Sequence, residues 1–378
     1  MKKFTLLFLP VLFANNLFSQ ATCNDEIIMA VKGNWTKRPD ANMKGTQTTQ
    51  IISRIDKIQQ LLQAAYPEPR GIVAKWYRSM GGHYSSIDKN SVSYELNSMF
   101  YTWYCNIHVK KLMLGTEAGT GFNIWANKFG WFAGKVDNFF VDNKPVYLLT
   151  KKLGEFNGYL LYEGEHSGTS NTGTTYSRAF IIPREGQSPY LPVTKKQYLN
   201  AYLNGIEKRM LKQLLIEEKK PVRSDQAEAD DKKKHLEYIE RSTRADKIEK
   251  AKESYLRNYR KDIQRREEDL DKLKKMFEKE MKPARELLAA ITEEEGLQPA
   301  IVEGNYVSGF EKFSTDQAGG RMLVRLNPDY FNSKLPTYVP QFLIVYWRWK
   351  KGEKPSEYFK DQLQANLSID ALKKMIDK

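Results

Sequence analysis

Between residues 47 and 65, apolar side chains recur at Ile51, Ile55, Ile58, Leu62 and Ala65, a 4-3-4-3 spacing that lays one stripe along a helix. Pro67 and Pro69 close it. The stripe reads as core packing. From residue 70 to 183 the period changes to two. Segments at 71–78, 92–110, 122–125, 146–149, 158–166 and 175–183 carry β-branched and aromatic residues, with Gly and Asn between them. In YTWYCNIHVKK (101–111), Tyr101, Trp103, Cys105, Ile107 and Val109 share the apolar face of a strand. Thr102, Tyr104, Asn106, His108 and Lys110 share the polar face. Strands that follow one another without helices predict an antiparallel meander. SGTSNTGT (167–174) reads as a long polar hairpin loop.

At residue 194 the pattern becomes helical. Thr194 and Gln197 form a capping box, and Val193 and Tyr198 occupy the staple positions. No glycine occurs between Gly205 and Gly296, and charged residues fill more than half of that span. A first helix carries Ile206, Met210, Leu211, Leu214 and Leu215 and stops near Pro221. VRSDQAEADDKKK (222–234) reads as a polar connection. A longer helix follows, its apolar residues running through Leu256, Tyr259, Ile263, Leu270, Leu273, Phe277, Met281, Ala284 and Leu288 in steps of three and four. Pro283 is expected to kink or restart it.

Strand signals return at 300–307, 321–326 and 342–350. The last, FLIVYWRWK, is apolar on both faces, as a central strand requires. Helices at 356–366 and 368–377 close the chain, with Ser356 and Ser368 as N-caps. The expected fold class is α+β: an antiparallel β-sheet body with flanking helices and an inserted long charged antiparallel helical hairpin. The expected division is a signal peptide over 1–20, the first part of the body over 21–205, the coiled-coil-like arm over 206–295, and the remainder of the body over 296–378.

The chain begins MKKFTLLFLPVLFANNLFSQ. Lys2 and Lys3 precede a short apolar run from Phe4 to Phe13, and small or polar residues follow around Ser19. This is the layout of a secretory signal peptide, too short to span a membrane. The expected location is therefore outside the cytoplasm: periplasmic, outer-envelope or secreted. Export changes the reading of the two cysteines, because an oxidising compartment favours a Cys23–Cys105 disulfide. As a lipidated N-terminus Cys23 is a poor match, since Gln20, Ala21 and Thr22 lack the aliphatic start of a lipobox.

Apolar residues make up 41% of the sequence, enough for a core, and the formal charge is +14. A basic chain often binds nucleic acid, but export argues against that partner. Acidic headgroups, envelope polyanions or glycans, or an acidic protein fit better, as does self-association through 206–295. Peripheral contact with a membrane is compatible with this charge, and no later run is long enough for a transmembrane helix.

Chemical motifs are few. There is no P-loop, HExxH or GxSxG, and Gly119–Gly121 lacks the third glycine of a dinucleotide loop. With four histidines and two cysteines, no metal site and no cofactor are expected. Cys105 and His108 fall on opposite faces of a regular strand, so they do not form a nucleophile–base pair. Ser86 and Lys89 have SxxK spacing without its companion motifs. Glu163 and Glu165 share a strand face at a spacing compatible with glycosidic acid–base chemistry. Tyr104, Trp125 and Trp131 are the candidate ligand-stacking aromatics. The leading expectation is a non-enzymatic envelope binding module, with the sheet docking a partner or glycan and the arm mediating association. The alternative is an envelope glycan hydrolase using Glu163 and Glu165.

Overall fold

A computed structural model describes residues 23–81, 91–106, 108–109, 111–164, 167–170, 173–219, 225–303 and 309–378. The expected signal peptide, the Ser86–Lys89 pair and Glu165 lie outside the described residues. The fold is mixed α+β with mostly antiparallel sheets, as the sequence predicts.

The larger sheet runs β1 (Trp35–Lys37), β2 (Ile72–Gly81), β3 (Ser93–Asn106), β5 (Thr120–Ala126), β15 (Leu343–Lys350), β11 (Gly173–Ile182), β9 (Tyr159–Glu163) and β8 (Lys152–Phe156). To it are added β4 (Lys111–Leu114), paired with β3, and β10 (Gly168–Ser170), paired with β11. The smaller sheet runs β12 (Tyr190–Pro192), β14 (Arg321–Leu326), β7 (Lys144–Leu149) and β6 (Ala133–Val141), with β13 (Ile301–Val302) on β14. The β1–β2 pair is parallel.

Four layers result, and the pleat explains them. On β15, Leu343, Val345, Trp347 and Trp349 join a core with α2 (Thr48–Ala65), α7 (Lys354–Asn366) and α8 (Ile369–Lys373). Alternate residues Ile344 and Tyr346 face the smaller sheet, against Leu149 and Val324. Both faces of β15 are therefore covered, which is why its sequence is apolar without alternation. The outer face of the smaller sheet packs under α3 (Lys195–Lys219) and the C-terminal part of α5 (Ile248–Ala290). The remaining helices are α1 (Asp25–Ala30), α4 (Asp225–Ser242) and the one-turn α6 (Glu293–Gly296).

Helix α2 buries the residues its period indicates: Ile51, Ile55, Ile58, Leu62 and Ala65 are at most 1% exposed. At about 2 kcal/mol for each fully buried aliphatic side chain, this face holds the helix in place far more than propensity does. The capping box is also formed. The Gln197 amide N–H donates to Thr194 Oγ1 at 3.2 Å, and the Thr194 amide N–H donates to Gln197 Oε1 at 3.1 Å.

Several expectations change. The large sheet is no simple meander, because β15 enters between β5 and β11 and β6–β7 leave for the second sheet. Strand β3 stops at Asn106, whose Oδ1 accepts the amide N–H groups of His108 and Val109 and turns the chain. The polar stretch read as a connection contains α4 from Asp225 onward. Helix α5 is one element through Pro283, so the helix does not restart there. Ser368 caps α8, its hydroxyl accepting from the Ala371 amide N–H at 3.3 Å. Ser356 is no cap: it lies buried inside α7, where its hydroxyl accepts the Lys350 amide N–H and bonds Thr120.

Candidate functional site

The opening strand resolves into a staple and an exposed edge. Cys23 and Cys105 form a disulfide with a Cα–Cα distance of 5.7 Å. It ties the residue before the α1 N-cap to the end of β3; the cap itself is Asn24, whose Oδ1 accepts the Ile27 amide N–H. The sulfur of Cys105 is consumed in that bond, and His108 sits exposed in the turn beyond. Tyr104 is 43% exposed and lies across the ladder from Met113, itself 40% exposed. Tyr104 is thus available at the surface.

Trp125 is not. It is 2% exposed, packed between the sheets against Tyr346 at 5.4 Å between ring centroids. Gly130, at φ 55°, lies against its indole so closely that a Cβ there would sit 2.5 Å from the ring. Its strand is buried on both faces, so an aromatic there serves packing rather than ligand stacking. The side chain of Trp131 lies outside the described residues.

Glu163 ends β9 directly opposite Arg178 of β11. Opposed residues of an antiparallel pair share a face, so the carboxylate and the guanidinium are neighbours. Burial draws Arg178 below its usual range, while the charge of Glu163 raises it. Arg178 also lies over Trp349, 5.3 Å from the ring centroid. The small cleft of about 300 Å³ that borders Glu163 is lined by Lys151, Arg321, Thr150, Ser167 and glycines, with no aromatic wall among the described residues. The second carboxylate of the expected pair, Glu165, lies outside the described residues. Among the described residues, no group of three or more His, Cys, Asp and Glu side chains is placed to hold a metal ion.

The helical segment divides into two parts. At its root, Tyr202, Leu203 and Ile206 of α3 pack with Phe277, Met281 and Ala284 of α5 in the core over the smaller sheet. Arg209–Glu280 at 2.8 Å and Arg285–Glu207 at 3.6 Å flank that contact. Farther along, α4 lies beside the N-terminal part of α5. His235 stacks on Tyr255 at 4.6 Å, Lys232 lies over Tyr259, and Lys252 pairs with Glu240. The hydrogen bond to Glu240 holds the Lys252 ammonium above its usual range.

On α3, beyond the root, Leu211, Leu215 and Ile216 are 57%, 51% and 53% exposed. With Lys208 and Lys212 they line one shallow recess of about 410 Å³. Positions 208, 211, 212, 215 and 216 follow the i, i+3, i+4, i+7, i+8 rhythm, so they form a single face. Three large aliphatic side chains clustered on an exposed helical face are uncommon unless something covers them.

Comparison with known proteins finds no matching family model, no similar curated protein and no matching solved structure. Among the described residues, no helix is long and apolar enough to cross a membrane.

Proposed function

We propose that this chain is an exported, non-enzymatic interaction module of a bacterial envelope, in which the two-sheet body is a scaffold and the helical segment mediates association. The observation that carries the reading is the exposed Leu211–Leu215–Ile216 face between Lys208 and Lys212. Its chemistry suits a protein partner with an apolar ridge and acidic flanks. Covering the exposed halves of three aliphatic side chains contributes about 1 kcal/mol each, enough to bias an encounter that charge then orients. The disulfide is compatible with export. The hydrolase reading has less support, because Glu163 is matched by Arg178 and no ring among the described residues lines its cleft.

The test uses Leu211→Glu/Leu215→Glu in the full chain. Crosslinking in intact envelopes and sizing of the purified protein are compared with wild type. The expected result is a crosslinked species that disappears in the variant while the melting temperature holds. An identical crosslinking and sizing pattern in both proteins would end the association reading.

A further inference from the structure

A second surface lies at the base of α3 and borders the aliphatic face at Lys208. Strands β6 and β7 are joined by a tight turn in which Asp142 and Asn143 adopt left-handed conformations, φ 51° and 59°. Asn138, also left-handed at φ 56°, sits where the β6–β7 register shifts. Inward, Val136, Phe139 and Val141 pack under Tyr198 and Tyr202 of α3. That packing fixes the hairpin against the helix and leaves a groove of about 530 Å³ between them. The volume falls within the roughly 300–1,000 Å³ of small-ligand sites.

The lining has a definite chemistry. Val141 and Ala201 line it with aliphatic side chains, and Gly205 leaves room beside them. Asn200 and Asn204 stand one turn apart on α3, and Asn138 and Asn143 contribute from the hairpin. These four amides are exposed and make no side-chain hydrogen bond among the described residues. Asp142 is already engaged, accepting from Gln197 Nε2 at 3.4 Å and pairing with Arg325 at 3.5 Å. Phe140 lines the same groove and is 50% exposed.

Each asparagine amide offers both a donor and an acceptor without a net charge. Vicinal hydroxyls on a sugar ring need that combination, since each hydroxyl both donates and accepts. An exposed phenyl ring supplies the apolar platform for the C–H face of a pyranose. A phosphorylated or sulfated ligand would need a cluster of cations, whereas Lys208 is the one cation among the described residues that line this groove. A peptide added to the β6 edge would meet the register shift around Asn138, which interrupts the row of backbone donors and acceptors it needs. We infer that the groove between the β6–β7 turn and α3 binds a short neutral oligosaccharide, held by Asn138, Asn143, Asn200 and Asn204 and stacked on Phe140. This binding does not depend on association through the aliphatic face.

Isothermal titration of the full chain against a panel of neutral tetrasaccharides (gluco-, xylo-, manno- and N-acetylglucosamine series) tests the assignment, with a sulfated tetrasaccharide alongside. At least one neutral member is expected to bind with an affinity that changes little with salt. Asn200→Ala/Asn204→Ala and Phe140→Ala are each expected to weaken it about tenfold or more, since each removes one set of ligand contacts. Their melting temperatures should hold, because these side chains are exposed. Leu211→Glu/Leu215→Glu should leave sugar binding intact, which separates this site from the association surface. Silence from every neutral member, preference for the sulfated one, or binding that survives both groove variants would each overturn the inference.

Discussion

The two ends of α5 carry the same kind of apolar stripe and meet different surroundings. Near its C-terminus, Phe277, Met281 and Ala284 are at most 2% exposed and belong to the core over the smaller sheet. Toward its N-terminus, Leu256 and Tyr259 are only half-buried, and the neighbouring α4 meets them mainly through charged and ring contacts. Period alone says that a helix covers one face. It does not say whether the cover is a sheet from a distant part of the chain or another polar helix beside it.

Deletion separates the two halves with the largest effect. Replacing 222–270 with a short linker removes the distal half and is expected to leave a folded protein with a cooperative melt. Extending the deletion to 222–282 also removes Phe277 and Met281, and the product is expected to lose its thermal transition. Circular dichroism of the pair reads both outcomes. Single substitutions sharpen the same contrast. Phe277→Ala should cost about 4 kcal/mol through the cavity it leaves. Leu256→Ala, on the distal half, should cost about 1 kcal/mol.

The disulfide sets a body-side standard for those numbers. It closes a loop spanning 82 positions, and its removal in Cys23→Ser/Cys105→Ser should cost about 3 kcal/mol in denaturant unfolding. The smallest effect is electrostatic. Burial raises the Asp40 carboxyl, but the Arg78 amide N–H and guanidinium beside it prevail and hold it below its ordinary range. A carboxylate with a depressed folded pKa stabilises above its unfolded value, near 3.9, and that contribution disappears as pH falls through the folded value. Asp40→Asn should therefore lower stability at pH 6 and make little difference near pH 2. Melting temperatures at the two pH values check this.

What the sequence reveals follows from how local each signal is. The α2 stripe, the Thr194–Gln197 box and the two-sided β15 run depend on neighbours within a few residues, and all three are present in the fold. The α4 helix was hidden because Asp225–Lys234 offers charges without an apolar rhythm. Strand β6 was hidden because Gly134, Asp137 and Asn138 interrupt its alternation, with the bulge at Asn138 shifting the register. Trp125 looked like a ligand platform because a sequence cannot show that a second sheet covers its strand. The asparagine groove joins residues about sixty positions apart, brought together by Phe139 under Tyr198 at 5.5 Å. The Asp142–Asn143 dipeptide and the Asn200–Asn204 spacing are local signals that went unread, and their meeting depends on tertiary packing.

Helix α5 is core at its root and forms an accessory surface beyond it. Hydrogen exchange read residue by residue along this helix tests that division most directly. Amides from Leu273 to Leu288 should exchange only as slowly as global unfolding allows, whereas those from Leu256 to Leu270 should open more readily, by at least a factor of ten in rate. Uniform protection along the whole of α5, equal to that of β15, would make the distal half part of the core and overturn this division.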